Sequence, residues 1–271
     1  MVNIMRNKPL IITLIVLLSI IAILLTVFLV LAILGVEFPF FSNNNFREIN
    51  KNIIFEQNFE PEHIDKIDII SDCGDIKILE NSENNIKVTI YGRNDRSLKD
   101  INFSNEEGIL KFEIRGMSNK IINFGFSEND IVIYAPKEII KEIEIKSSYG
   151  DIEIGEFENA LVDLKQDCGD IDIVKIQNAI IKSSYGDVKI TSLLNKCDID
   201  LSCGDIKIQN LRINEDSIIK NDLGDIKIEK TNDIFIDGNT DLGDEKIENN
   251  NRHSEITLTL KNSCGDIKVN N

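Results

Sequence analysis

A six-residue unit recurs eight times in this chain, and its spacing constrains the fold more than any other feature. The unit is Cys, Tyr or Leu, then Gly-Asp, then an apolar-x-apolar triplet broken only in the seventh copy; Cys73-Gly74-Asp75-Ile76-Lys77-Ile78 is the first copy and Cys264-Gly265-Asp266-Ile267-Lys268-Val269 the last. Its glycines are Gly74, Gly150, Gly169, Gly186, Gly204, Gly224, Gly243 and Gly265, and from Gly150 onward they stand 19, 17, 18, 20, 19 and 22 residues apart. A period of this size means stacked repeats, each burying its apolar face only against its neighbours. The expected fold is all-β: a parallel β-solenoid or β-helix of about seven coils, roughly 30 Å tall at ~4.8 Å per coil.

The phase of the apolar residues places a corner in every repeat. In Ile199-Asp200-Leu201-Ser202-Cys203 they fall on odd positions, and after Gly204-Asp205 they fall on even ones, Ile206 and Ile208. A one-residue slip in a period of two turns every side chain to the other face, so the chain must bend at Gly-Asp. Glycine suits a bend that needs positive φ or close backbone approach. Aspartate suits it because its carboxylate can accept from N–H groups two residues on.

Three columns of side chains follow from this periodicity. The residue before each glycine (Tyr149, Cys168, Tyr185, Cys203, Leu223, Leu242, Cys264) continues the phase of the buried face and is expected to stack inside. Cys168 and Cys203 are then about 9.6 Å apart, beyond the ~7 Å reach of a disulfide, so the cysteines read as small core side chains. Two residues earlier, Ser147, Gln166, Ser183, Asn221 and Asn262 form a polar inward ladder. The aspartates form the third column. If Asp151, Asp170, Asp187, Asp205 and Asp225 all faced water, like charges ~5 Å apart would favour a bridging cation, and calcium is the hard ion that takes such oxygen ligands. The simpler expectation is a turn-capping aspartate and no cofactor.

The start of the chain reads as a membrane anchor. Leu10 to Val36 carries no charge, and Arg6 and Lys8 precede it. About 20 apolar residues span a bilayer, and flanking cations stay in the cytoplasm. The expected organisation is a cytoplasmic tail at 1–9, an uncleaved transmembrane helix at 10–36, a linker at 37–49, and an extracytoplasmic repeat domain at 50–271, its first part a cap on the stack. That puts the chain in the cell membrane, single-pass, with the C-terminal domain outside.

The formal charge of −16 repels nucleic acid and favours basic partners or cations. Enzyme machinery is sparse. His63 and His253 occupy unrelated positions, no phosphate loop or nucleophile elbow is present, and nothing in the spacing selects Arg93, Arg96, Arg115 or Arg212 for lyase chemistry. No enzymatic activity is expected.

The recurrent Gly-Asp-Ile-x-Ile units, together with Asp130-Ile131-Val132-Ile133-Tyr134-Ala135-Pro136 leading into Lys141 to Asp151, resemble a bacterial family of unknown function with β-strand repeats, whose members are described as predicted adhesins. The likeness covers most of residues 50–271 and implies a surface protein; it carries no catalytic residues. This chain departs from the pattern at Glu245, where an inward Ile is expected, which suggests a loosened coil or a local site near residues 238–252. The functional expectation is a non-enzymatic, membrane-anchored adhesin or contact scaffold at the cell envelope, with an envelope protein or surface ligand as partner. The alternatives are an envelope-stress accessory protein acting through a membrane partner and a calcium-dependent β-helix acting on polysaccharide.

Overall fold

The computed structural model describes residues 52–92, 101–114, 129–248 and 250–270. The expected transmembrane segment at 10–36 lies outside these residues, as do the tail at 1–9 and the linker at 37–49. Among the described residues every regular element is a strand, and no helix is long and apolar enough to cross a membrane.

Eighteen strands among the described residues form one mixed sheet. Its body is a solenoid-like parallel stack in which each level has one strand before the corner and one after it. The strands before the corner stack as β6 (Ile109–Ile114), β2 (Lys66–Ser71), β8 (Glu142–Tyr149), then the second halves of β9 (Ile152–Cys168), β10 (Ile171–Tyr185) and β11 (Val188–Cys203). They continue with β13 (Ser217–Leu223), β17 (Thr257–Cys264) and β15 (Phe235–Leu242). The strands after the corner follow the same order: β7 (Asp130–Pro136), β3 (Ile76–Asn81), the first halves of β9, β10 and β11, then β12 (Ile206–Leu211), β14 (Ile226–Thr231), β18 (Ile267–Val269) and β16 (Glu245–Ile247).

Nine levels are therefore stacked among the described residues, where the glycine period suggests about seven coils. The ninth is built by β6 and β7, and its corner is Asn129-Asp130 in place of Gly-Asp. Stack order also departs from chain order at both ends. The level of β6 and β7 lies outside that of β2 and β3, and β17–β18 insert between β13–β14 and β15–β16. The degenerate unit with Glu245 is thus the terminal level, where its side chain is exposed. A position with a neighbour on only one side has little need of a core Ile.

The expected cap is present at the other end, and it makes the sheet mixed rather than all-parallel. There β1 (Asn52–Phe59) pairs antiparallel with β4 (Ile86–Gly92), β4 with β7, and β5 (Ile101–Glu106) with β6. Phe55, Phe59, Phe103 and Phe112 cluster over this end with ring centroids 5.3–6.3 Å apart. At the far end Asn250 does similar work with one side chain. It accepts the N–H of Ile236 at 2.8 Å and donates to its carbonyl at 2.7 Å, pairing part of an edge that would otherwise recruit another strand.

The core consists of vertical columns of like residues. Ile69, Ile145, Leu164, Ile181, Ile199, Ile219 and Leu260 form one, and all are inaccessible to solvent. Ile76, Ile152, Ile171, Val188, Ile206, Ile226 and Ile267 form another after the corner, at 0–1% exposure. β-branched side chains suit both the pleat and the stacking, and each buried Ile contributes about 1.5–3 kcal/mol of transfer free energy.

Candidate functional site

The Gly-Asp edge runs the height of the stack, and its geometry explains both residues. Gly186 has φ of +125°, and a Cβ on it would lie 2.0 Å from the carbonyl oxygen of Gly169 in the adjacent level. Only glycine fits a bend that is both left-handed and this close to its neighbour. The same contact with the next corner carbonyl recurs at each corner glycine, although Gly243 in the terminal level lies outside the left-handed region.

The aspartates do cap backbone, but between levels rather than within a turn. The Asp170 N–H donates to Oδ1 of Asp151 at 2.9 Å, Asp187 to Asp170 at 2.8 Å, Asp205 to Asp187 at 3.0 Å and Asp225 to Asp205 at 2.9 Å. The chain of bonds begins at Asp130, which accepts from Asp75 at 3.1 Å, and ends where Asp244 donates to Asp266 at 2.8 Å. Every carboxylate of this chain of bonds except Asp244's thereby satisfies an amide that the ladder leaves over at the bend. Among the described residues no group of three His, Cys, Asp or Glu side chains is placed to hold a metal ion.

Glycine carbonyls on the same edge are bonded by the inward polar ladder. Gln166 donates to the carbonyl of Gly150 at 2.5 Å, Asn221 to Gly204 at 2.9 Å, Asn262 to Gly224 at 2.9 Å and Thr240 to Gly265 at 2.9 Å. The hydroxyls of Ser147 and Ser183, shorter and equally buried, do not reach a protein partner.

The residue before glycine is outside, not inside. Tyr149 is 56% exposed, Tyr185 61%, Leu223 53% and Leu242 70%, and Cys168 and Cys264 are exposed as well. The inward phase ends two residues earlier: Ser147 pairs with Gln166 and Tyr149 with Cys168, so the bend has begun before the glycine. Of the expected core thiols only Cys197 is buried, and burial pushes its pKa up to about 12. Read in stack order the column alternates strictly. Cys73, Cys168, Cys203 and Cys264 occupy one set of levels, and Tyr149, Tyr185, Leu223 and Leu242 the levels between.

Four residues past the ridge, the outward column runs in stack order Lys77, Glu153, Asp172, Lys189, Lys207, Lys227, Lys268 and Lys246, acidic at two levels and basic at the others. Its lysines mostly bond glutamates: Lys77 to Glu153 at 2.6 Å, and Lys207 and Lys227 to Glu229 at 3.1 and 3.4 Å. Lys189 instead reaches an edge aspartate, Asp187, at 3.8 Å. Between the two columns lies a hollow of about 260 Å³ lined by Asp205, Asp225, Lys207 and Lys227. A wider one of about 620 Å³ opens at the cap beside His63, Asp65, Glu107 and Lys141. Arg93, Arg96 and Arg115 lie outside the described residues, and Arg212 contributes a backbone N–H to Leu193 at 2.8 Å.

Charge is densest on the outer face of β8 and β2. Lys66 bonds Glu142 and Glu144, each at 2.8 Å, and Glu144 also accepts from Lys146 at 2.6 Å. The two ammonium groups hold the Glu144 carboxyl down at about 2, and the two carboxylates raise the Lys66 pKa.

Sequence reasoning missed two parts of the edge, the exposed ridge and the corner at Asn129-Asp130. The second left a trace, since Asp130-Ile131-Val132-Ile133 repeats the Asp-apolar-x-apolar phase without its glycine.

The sequence model of the Toastrack DUF4097 family matches residues 64–271. No curated protein matches the chain. Among solved structures it is similar to a predicted adhesin from Bacteroides fragilis, with 18% identity over 80% of this chain and 96% of that one and a TM-score of 0.44. It is also similar to a predicted lipid-binding protein from Parabacteroides distasonis, with 12% identity over 80% and 96% and a TM-score of 0.49. A predicted cell adhesion protein from Clostridium sporogenes shares 15% identity over 79% and 98%, with a TM-score of 0.36.

Proposed function

The chain belongs to the Toastrack DUF4097 family, and from that membership we propose that it is a non-enzymatic, adhesin-like contact protein of the cell envelope. A transmembrane helix at 10–36 anchors it, residues 1–9 stay in the cytoplasm, residues 37–49 link the two parts, and residues 50–271 stand outside as a β-solenoid. The uncharged run from Leu10 to Val36 behind Arg6 and Lys8 supports this placement. Its partner is an envelope protein or surface ligand with basic groups, matching the overall charge of −16.

One observation carries the contact role: the edge presents carboxylates at a fixed pitch on a backbone that their own hydrogen bonds hold in register. Preformed, repeated charge of this kind steers encounter and fixes register with a partner.

Protease treatment of intact cells producing the full chain should remove residues 50–271 and spare a tag at residue 1. Attachment of those cells to a second cell layer should fall when Asp151, Asp170, Asp187, Asp205 and Asp225 are all changed to Asn, which keeps the backbone acceptors and removes the charge. Protection from protease would overturn the placement; unchanged attachment would overturn the role of the edge.

A further inference from the structure

We infer that the ridge beside the Gly-Asp edge is a pairing surface for a second copy of this chain, docked antiparallel. Of the eight large hydrophobic side chains exposed among the described residues, four lie in this one column: Tyr149, Tyr185, Leu223 and Leu242. Between them the smaller side chains of Cys73, Cys168, Cys203 and Cys264 leave notches, so knobs and notches repeat every two levels, about 9.6 Å. A partner must match that pitch over a ridge about 34 Å long, and a second copy does so by construction.

Direction follows from the alternation. Counted along the stack, the eight ridge levels run Cys first and Leu242 last. A two-fold axis between Tyr185 and Cys203 then places Tyr185 opposite Cys203, Cys168 opposite Leu223, Tyr149 opposite Cys264 and Cys73 opposite Leu242. Every knob meets a notch. Parallel pairing in register would set Tyr against Tyr and Cys against Cys, leaving voids and clashes in turn.

Charge bears on the same direction. The antiparallel operation brings Glu153 opposite Lys268 and Asp172 opposite Lys227, two attractive pairs, and sets Lys189 against Lys207 and Lys77 against Lys246, two repulsive ones. The aspartate columns also come face to face and repel, so pairing strengthens as salt screens them. The ridge and its two flanking columns supply three residues per level, which over eight levels falls within the about 20–30 residues a side of a standard interface. The inference does not depend on the proposed anchoring or adhesion.

The test uses the full chain in detergent micelles, with protein mass measured separately from detergent by light scattering. Wild type should reach twice the 30.7 kDa chain mass, more readily at high salt, and Leu223→Lys should weaken association at least tenfold with an unchanged melting temperature. Under mild copper oxidation wild type should form only traces of chain-to-chain disulfide, because no thiol faces a thiol. With Cys203 and Cys264 changed to Ser, which removes the two thiols one level away in the same chain, Leu223→Cys should then link the introduced thiol to Cys168 of the second copy. A wild-type monomer at 100 μM, a dimer indifferent to Leu223→Lys, or a link between the two introduced thiols would each overturn the proposal.

Discussion

The backbone N–H of Asp266 donates to the carboxylate of Asp225 at 2.8 Å, across 41 positions of sequence, and the intervening Asp244 sits on the far side of Asp266. The β17–β18 level therefore holds β15–β16 to the rest of the stack. Leu260→Ala, in the core of β17, should cost about 2–5 kcal/mol. Hydrogen exchange should quicken in β15 and β16 at least as much as in β17, while β10 changes little. Faster exchange confined to β17 would contradict this arrangement.

Gly186→Ala should be among the most damaging single substitutions, because strained φ and overlap with the Gly169 carbonyl act together. The loss should exceed the about 1–3 kcal/mol of a strained backbone alone. Gly243→Ala, in a terminal level free to shift and outside the left-handed region, should cost clearly less. Urea midpoints of the two variants give the comparison, and equal losses would refute it.

Removing one carboxylate tests the edge as a structural device. Asp205→Ala leaves the Asp225 N–H without its acceptor and should cost about 0.5–1.5 kcal/mol. Asp205→Asn keeps an acceptor oxygen and should cost less than half as much in the same denaturation series.

Acid should weaken the face around Glu144. Its folded pKa, about 2, is depressed below the ordinary 4.5, so its contribution is complete above about pH 4.5 and is lost as pH falls toward 2. Partial exposure and solvent screening reduce it to about 1–2 kcal/mol. Glu144→Gln should lower stability at pH 7 and flatten the acid limb; parallel pH profiles for wild type and variant would dismiss the contribution.

Calcium should not raise the melting temperature at millimolar concentration. One oxygen of each of Asp151, Asp170, Asp187, Asp205 and Asp225 is already engaged by an amide, which leaves few ligands per level. A rise of several degrees would mean preferential binding to the native state and would return the aspartates to a metal ladder.

Most of the fold was legible because its signal is repeated. The phase slip at Gly-Asp located eight corners and the columns Ile76, Ile152 and Ile171 after them. The ridge was misplaced because a period of two says which face a strand buries, not at which residue the bend begins. Carrying the alternation one step past Ser147 put Tyr149 inside. Asn129-Asp130 was overlooked because its corner lacks the glycine that marked the others. Stack order was not legible at all: Asn221 and Asn262 serve the same function at successive levels, so nothing local says whether β13 meets β15 or β17. Glu245 was the one clue, an unfit core residue that marks an end position rather than a defect.

The exchanged order at that end also sets a timetable. During synthesis β15 and β16 appear before the strands that fill the gap beside β13 and β14, so two unpaired edges must wait for them. A product halted after β16 would keep both edges open, ready to recruit foreign strands or attract proteases. Completion of this end thus depends on its latest-made level, and half-built copies are distinguishable from finished ones by the edges they leave bare.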